Sequence, residues 1–344
     1  MKKLGLILAL LMLVMCFASC GDNTVSQTES TQESKQETSI EESTEESEPE
    51  ELKDPEIVPH PMTVTITSDK KFVMTTTLDN GSTMSVCWDK KDWGTWNIGS
   101  YKVGSTDYTT NATDWEYVFR AAENGSAGYA WSGGNHGNEA LTELKIYDGE
   151  TGEELSYTVG ATYECSLLKV VESTRLNTGN AAEPYADVVR TYTVAGKTVT
   201  LGCTFDFTRE MYFYMSYTTM FPISKTAGYR TVYNHTDKTT AEYLSTYYEK
   251  NPSAANFTGY FDYGHEAESV DIYPKVENNT HFHIEIYRSD DMTGGFDNSQ
   301  KTFLWDMSST QNKLYFSRFT MDSATRVEAG THWYTLASWE FIYD

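Results

Sequence analysis

Several short motifs that identify common enzymes are absent from this 344-residue sequence. It contains no GxSxG nucleophile elbow, no Walker phosphate loop and no HExxH zinc-binding motif. The paired-carboxylate ExDxE pattern of some sandwich glycosidases is also missing. These absences remove the usual sequence signatures of serine hydrolases, P-loop nucleotidases and zincin proteases. A catalytic site in this chain must therefore be argued from residues that are far apart in the sequence.

Basic residues are scarce. The chain has 26 Lys and Arg against 50 Asp and Glu, which gives a formal net charge of −24. A surface this acidic repels phosphate backbones, so nucleic acid is disfavoured as a partner. Anionic polymers such as uronates or teichoic acids are disfavoured too, unless a local basic cleft exists. Neutral glycans or peptides fit the bulk charge better.

Cysteines are few, and none lies at a CxxC spacing. Beyond the N-terminal region only Cys87, Cys165 and Cys203 remain, each in a strand-like context. An odd number leaves at least one thiol unpaired, so a disulfide framework is not predicted. We expect free thiols in core strands, with a Cys165–Cys203 bond as the open alternative.

The one strongly apolar run lies at the N-terminus and is too short to span a bilayer, which takes roughly 20 residues. Lys2 and Lys3 precede an apolar stretch from Leu4 to Phe17, and Ala18, Ser19 and Cys20 follow it. This arrangement is typical of a secretory signal. The four residues Phe17-Ala18-Ser19-Cys20 resemble the lipobox of bacterial lipoproteins. The resemblance implies that residues 1–19 are a signal peptide and that Cys20 is lipidated, which anchors the protein to the membrane outside the cytoplasm.

Residues 20–58 read as a linker. The segment is built almost entirely of Ser, Thr, Gln, Glu and Asp and contains no aromatic residue. Such a composition cannot bury enough apolar surface to offset its ordering entropy, so we expect it to be disordered.

Residues 59–344 are predicted to form a single all-β domain, a β-sandwich of the jelly-roll or concanavalin-like kind. Short segments of alternating apolar and polar residues follow one another, with Asp79-Asn80-Gly81 and Ala195-Gly196 as hairpin turns. Only Thr240–Lys250 has helical spacing. The predicted strands are Met62–Ser68, Lys71–Leu78, Trp115–Ala121, Leu141–Tyr147, Tyr163–Glu172, Ala186–Val194, Lys197–Phe207, Met211–Phe221, Asn279–Tyr287, Lys301–Met307, Lys313–Phe319 and Trp333–Tyr343.

The segment Trp131–Glu139 is a candidate functional loop, because its three glycines predict a tight turn with few side chains. Asn135, His136, Asn138 and Glu139 would project from it, with His136 as general acid or base and Glu139 or Asn138 orienting it. The alternative is a structural turn whose histidine caps local backbone groups.

A candidate metal site lies on the segment Thr280–Tyr287. In a strand, His281, His283 and Glu285 share one face, which makes a plausible zinc set if His265 or Glu266 completes it. A second candidate metal site is the Asp- and Gly-rich segment 290–298, whose loop oxygens could hold a calcium ion. The alternative is an ordinary half-exposed strand.

Aromatic residues make up 14% of the chain, and Trp93 and Trp96 crowd the Gly-rich stretch 92–101. We predict that this stretch is a loop and that Trp93, Trp96 and Trp131 contact sugar rings together with Asn135 and Asn138. The alternative is burial in the core, where most aromatic residues of a sandwich lie.

These features favour a cell-surface lipoprotein that binds an extracellular glycan. One alternative is a polysaccharide lyase, with His136 as base, Arg175 or Arg190 neutralising a substrate carboxylate and a tyrosine as acid. A second is an adhesin or structural surface domain. The oligomeric state and the identity of the glycan stay open.

Overall fold

The structure is a computed structural model. It describes residues 55–109, 116–126, 128–179, 183–224, 229–234, 240–242, 269–274, 280–287, 302–305, 311–319 and 324–343. The predicted signal peptide, Cys20 and the predicted linker up to residue 54 lie outside these ranges. Among the described residues, no helix is long and apolar enough to cross a membrane.

The described residues form 21 strands and a single 3₁₀ turn at Gly134–His136. In chain order the strands are β1 (Met62–Ser68), β2 (Lys71–Thr77), β3 (Thr83–Lys90), β4 (Trp96–Val103), β5 (Thr106–Asp107), β6 (Val118–Ala122), β7 (Ala130–Ser132), β8 (Glu139–Asp148), β9 (Thr162–Cys165), β10 (Leu168–Leu176), β11 (Ala186–Ala195), β12 (Thr198–Phe207), β13 (Met211–Ser224), β14 (Tyr229–Asn234), β15 (Thr240–Glu242), β16 (Ser269–Pro274), β17 (His281–Tyr287), β18 (Thr302–Trp305), β19 (Gln311–Ser317), β20 (Thr325–Val327) and β21 (His332–Ile342).

The strands form three antiparallel sheets. The first sheet has the order β5-β4-β3-β2-β1-β9, the second β15-β14-β16-β17-β21-β12-β11-β10-β8, and the third β18-β19-β13-β6-β7, with β20 pairing to β13. The predicted all-β sandwich is therefore confirmed.

A continuous core fills the space between the second sheet and the other two. Trp88 of the first sheet meets Tyr192 of the second with ring centroids 5.7 Å apart, and Phe119 of the third meets Phe205 of the second at 5.2 Å. One residue in two along these strands is buried, as the alternation in the sequence requires. The second sheet thus forms one layer, and the first and third sheets form the other.

Most predicted strands are confirmed to within a few residues, and both predicted hairpin turns link the expected strands. Two predictions were wrong. Tyr163–Glu172 is not one strand but β9 and β10, separated at residues 166–167, because β9 pairs with β1 and β10 pairs with β8 and β11. Thr240–Glu242 is a strand, not the start of a helix, and residues 243–250 lie outside the described ranges.

Cys87, Cys165 and Cys203 are free thiols, as predicted, and the open Cys165–Cys203 alternative does not occur. Burial raises the pKa of Cys87 to about 12 and that of Cys165 to about 11. The thiol form therefore dominates at neutral pH, which makes both poor nucleophiles.

Candidate functional site

The Gly-rich loop joins β7 to β8 and is closed by its own backbone. Gly133 N donates to Gly137 O at 2.9 Å, and His136 N donates to Gly133 O at 3.0 Å. Gly133 has a φ of 85°, and a Cβ added there would lie 2.8 Å from the carbonyl oxygen of Tyr117. Only glycine satisfies both the positive φ and this close approach. The loop is therefore as tight as the sequence predicts.

This loop fixes the ring of Trp131. The His136 side chain is exposed and stacks on Trp131, with centroids 4.7 Å apart and planes at 13°. Asn138 adopts a φ of 53°, a region that asparagine tolerates better than most residues, and its Nδ2 donates to Trp131 O at 2.7 Å. The loop thus brings together three of the predicted site residues.

Trp131 belongs to a larger surface on the side of the third sheet that faces away from the core. We call it the aromatic surface, and its members come from β6, β7, β13 and the flanking loops. Its members are Arg120, Tyr129, Trp131, His136 and Tyr214. Trp131 packs against a small hydrophobic cluster, separate from the main core, that consists of Val118, Tyr217, Met220 and Tyr315.

Strand alternation produces this surface. In β6, Phe119 points into the main core while Arg120 points to the opposite side, and β13 repeats the pattern with Phe213 and Tyr214. The Arg120 guanidinium carbon lies 4.9 Å from the Tyr214 ring centroid, and Tyr129 lies 5.2 Å from Tyr214. Tyr129, Trp131 and Tyr214 are all partly exposed, so their rings are within reach of a ligand.

Trp93 and Trp96, which we expected to act together, occupy different environments. Trp93 is partly exposed and lies against the Gly-rich loop, since a Cβ added to Gly137 would be 3.5 Å from its ring. Trp96 is only 3% exposed and packs on Phe72 at 5.5 Å. The prediction of sugar contact at Trp96 was wrong, because its position is the first residue of a core strand rather than part of a loop.

Glu139 lies in the core, not at the edge of a cleft as we expected. It is 4% exposed and accepts hydrogen bonds from the Tyr117 hydroxyl and, at 2.7 Å, from Thr174 Oγ1. It is the first residue of β8 and lies on that strand's inward face. Glu139 is therefore held in the core by Tyr117 and Thr174 and is not placed to orient the exposed His136 side chain.

The two predicted catalytic arginines also have partners. Arg190 is fully buried and pairs with Glu172, its cross-strand neighbour, through Nε at 3.0 Å and through Nη2. Burial raises the pKa of Glu172 to about 7, against the opposing effect of Arg190. Arg175 is exposed and pairs with Asp187 at 3.1 Å. Neither arginine lies on the aromatic surface, so neither is placed to neutralise a substrate there.

Buried polar side chains hold the start of β4, the strand that follows the loop carrying Trp93. Glu172 accepts from Trp96 N at 2.8 Å, and Arg190 Nη2 donates to Trp96 O at 3.1 Å. Glu116, fully buried, accepts from Asn97 Nδ2 at 2.5 Å and from the Tyr192 hydroxyl. These contacts fix the start of β4 directly after the loop that carries Trp93, so the buried charges position that loop.

The predicted metal-binding residues lie on one face of β17, as the spacing requires, but no group of three or more ligands among the described residues is arranged to hold a metal. His283 Nδ1 lies 2.6 Å from Asp271 Oδ1, and its Nε2 lies 3.7 Å from Glu285 Oε2. His281 stacks on Tyr273 at 4.5 Å. His265 and Glu266, which would complete the predicted zinc site, lie outside the described ranges, as do residues 290–298, so both metal sites stay predictions.

The Asp271 pair and then the Glu285 pair raise the pKa of His283 from 6.5 to about 9. Glu340 is its cross-strand neighbour on β21, and His281 shares its face. Because the pKa of His283 is higher in the folded protein than in the unfolded chain, its protonation stabilises the fold fully below pH 6.5, and this contribution is lost as the pH rises through about 9.

We expect His283→Gln to lower the free energy of unfolding by on the order of 2 kcal/mol at pH 6 and by much less at pH 10. Urea unfolding of both proteins at the two pH values measures this, and an equal loss at both would contradict it.

A cavity of about 410 Å³ lies at one end of the sandwich. The segment Pro55–His60 forms one wall, and Lys197, His283, Glu285 and Glu340 line the opposite side. Residues 55–58, which we assigned to the linker, thus follow the surface of the domain. Two pairs of its charged groups are in contact, Lys197 with Glu340 at 2.7 Å and His283 with Glu285 at 3.7 Å.

Sequence reasoning missed Arg120, Tyr129 and Tyr214. The signal for two of them was present, because β6 and β13 alternate and their outward positions carry Arg120 and Tyr214. The pairing of β6 with both β7 and β13 brings them beside Trp131. The pairing of β6 with β13 joins residues far apart in the chain, such as Arg120 and Met215, and is not visible in the sequence.

No family model matches this chain, and no curated protein matches it. Solved structures resemble it at low identity. An α-galactosidase from Lactobacillus brevis matches with a TM-score of 0.45 and 8% identity over 79% of this chain and 39% of that one. A galactose mutarotase-like protein from Clostridium acetobutylicum matches with a TM-score of 0.41 and 8% identity over 79% of this chain and 96% of that one. A galactose mutarotase related enzyme from Lactobacillus acidophilus matches with a TM-score of 0.40 and 8% identity over 78% of this chain and 97% of that one. This chain therefore spans well under half the length of the galactosidase and nearly all of the two mutarotase-like proteins.

Proposed function

We propose that this protein is a cell-surface lipoprotein that binds an extracellular glycan on its aromatic surface. The observation that carries the proposal is the set of partly exposed rings at Tyr129, Trp131 and Tyr214, arranged around one tightly closed loop. Ligand sites combine apolar and aromatic walls with a few placed polar groups. The loop supplies such groups in Asn135 and His136.

The geometry suits a sugar ring. Trp131 lies in β7 and its ring stacks on His136, so the side chain is already ordered and little conformational entropy is lost when a ligand contacts it. The apolar faces of sugar rings pack on such aromatic planes, and their hydroxyl groups pair with amide and imidazole groups at the edge. Trp93, on the other side of Gly137, extends this platform along the loop.

Binding is favoured over cleavage by a lyase because the predicted catalytic set is dispersed. Arg190 and Glu139 are buried in the core, and Arg175 is paired with Asp187. Of the predicted catalytic residues, only His136 belongs to the aromatic surface.

A glycan array compared across variants tests the proposal. We expect Trp131→Ala to weaken binding by at least about tenfold, as the loss of a central aromatic anchor does. His136→Ala should weaken binding while leaving the melting temperature nearly unchanged, since its side chain is exposed. Tyr147→Ala, on a partly exposed tyrosine of β8 in the second sheet, is the matched control and should bind normally.

Two results would contradict this proposal. One is unchanged binding by Trp131→Ala and His136→Ala alongside normal folding. The other is depolymerisation of the bound glycan, measured by size-exclusion chromatography, which would favour the lyase alternative.

The lipid anchor is a separate part of the proposal and rests on the residues around Cys20. Changing Cys20 to Ser removes the thiol that would carry the lipid. We expect the variant either to leave the membrane fraction or to retain its signal peptide, as measured by fractionation and mass spectrometry. A processed Cys20→Ser protein that stays in the membrane fraction would exclude a lipid anchor at this position.

A further inference from the structure

Arg120 lies at the centre of the aromatic surface and forms no ion pair with any residue that the structure describes. Its guanidinium carbon lies 5.6 Å from the Trp131 ring centroid and 4.9 Å from that of Tyr214. Its Nε is buried and has no hydrogen-bond partner in the part of the chain that the structure describes.

Other arginines of this acidic chain are paired. Arg175, Arg190, Arg209 and Arg326 each contact a carboxylate, on Asp187, Glu172, Glu123 and Glu210 respectively. Arg318 also lies over two rings, those of Phe319 and Trp333, but it is only 6% exposed, whereas Arg120 is partly exposed. The charge of Arg120 is therefore accessible to a group from outside the chain.

The guanidinium group is suited to one kind of partner. Its planar fork of N–H donors matches a carboxylate in a bidentate arrangement, and such charge-assisted bonds are stronger than neutral ones. Arg120 is the direct cross-strand neighbour of Trp131, so an anion bound at Arg120 lies beside the ring that a sugar would stack on. The contacts to Trp131 and Tyr214 also hold the guanidinium in place before a ligand arrives.

We propose that Arg120 binds a carboxylate on the glycan, so that this surface selects sugars of the uronic-acid type. The inference rests on the proposed function, since it names the chemistry of the same ligand. It reverses the expectation from bulk charge, because the local cation outweighs the distant acidic groups when these are screened beyond roughly 8–10 Å. Arg120 thereby takes the role of pairing with a substrate carboxylate that we first considered for Arg175 and Arg190.

The test compares two oligosaccharides that differ only at the carboxyl group, a uronate oligomer and its carboxyl-reduced form, by calorimetric titration. We expect the unaltered protein to bind the uronate about 10- to 100-fold more tightly. Arg120→Gln should lose that preference and bind the two forms alike, and Arg120→Lys should retain only part of it. Arg175→Gln removes an exposed arginine elsewhere and should change nothing.

The outcomes separate this inference from the proposed function. If Trp131→Ala abolishes binding but Arg120→Gln keeps the full preference for the uronate, only the role of Arg120 is overturned. If a sulfated or phosphorylated sugar of the same size binds more tightly than the uronate, the carboxylate assignment is overturned. If neither Trp131→Ala nor Arg120→Gln alters binding, both proposals fail. Thermal unfolding checks that each variant folds, and failure of both Arg120 variants to fold would assign the residue to stability instead.

Discussion

Replacing Arg190 by Met should lower the free energy of unfolding by about 3–5 kcal/mol, the usual cost of removing one member of a buried ion pair. Arg190 is fully buried, and its loss leaves the Glu172 carboxylate without a counter-charge in the core. It also removes the donor to Trp96 O. Urea unfolding followed by tryptophan fluorescence measures the change.

The matched control is Arg175, on the strand next to Arg190. Its ion pair with Asp187 is more than half exposed, so Arg175→Met should cost about 0–1 kcal/mol. The two arginines were equivalent candidates in the sequence, and the structure separates them by burial alone. Equal stability losses in the two variants would contradict the buried ion pair.

The dependence of this loss on pH and on Glu172 gives a sharper check. Without Arg190 the pKa of Glu172 rises further above its ordinary value, so the folded variant prefers the protonated form. The stability deficit relative to the unaltered protein should therefore be smaller at pH 5 than at pH 8. Adding Glu172→Gln to Arg190→Met should restore part of the lost stability at pH 8, because the amide oxygen can still accept from Trp96 N. No recovery in the double variant would show that charge is not the cause.

Much of the fold could be predicted because its strands alternate. Along β11, Val188, Arg190, Tyr192 and Val194 share the inward face. The alternation that predicted the strand could therefore also have placed Arg190 in the core, although we expected it at a catalytic site. A buried arginine requires a buried partner, and nothing in the local sequence indicates that Glu172 lies opposite it. Burial of a side chain can thus be inferred from one strand at a time, but the ion pair that stabilises a buried charge cannot.

The β4 region shows the opposite failure. Glycines and polar residues favoured a loop over residues 92–101, yet β4 begins at Trp96 and pairs with β3. Asn97 is buried there because Glu116 accepts from it. Such polar residues look exposed in the sequence and become core residues only through contacts made by distant segments. The aromatic surface was only half predicted for the same reason, since the Gly-rich loop is local and its neighbours on β6 and β13 are not.

Trp96→Ala should be the second strongly destabilised variant, with a loss of about 3–5 kcal/mol in the free energy of unfolding. The ring is 3% exposed and packs between Phe72 and Tyr157, with centroid distances of 5.5 and 5.2 Å. Its removal leaves a large cavity that rigid neighbouring strands cannot close. Trp96→Phe retains an aromatic ring at this site and should cost markedly less.

Comparison with Trp131→Ala distinguishes the core tryptophan from the surface one. Trp131 packs on a small separate cluster and is partly exposed, so its loss should reduce stability by much less than that of Trp96 while weakening glycan binding. Trp96→Ala should show the reverse, because the fraction that remains folded keeps the aromatic surface and binds with unchanged affinity. Stability is measured by urea unfolding, and affinity by titration at a temperature where both variants are folded. If Trp96→Ala weakens glycan binding with little loss of stability, then Trp96 contacts the ligand and its assignment to the core is wrong.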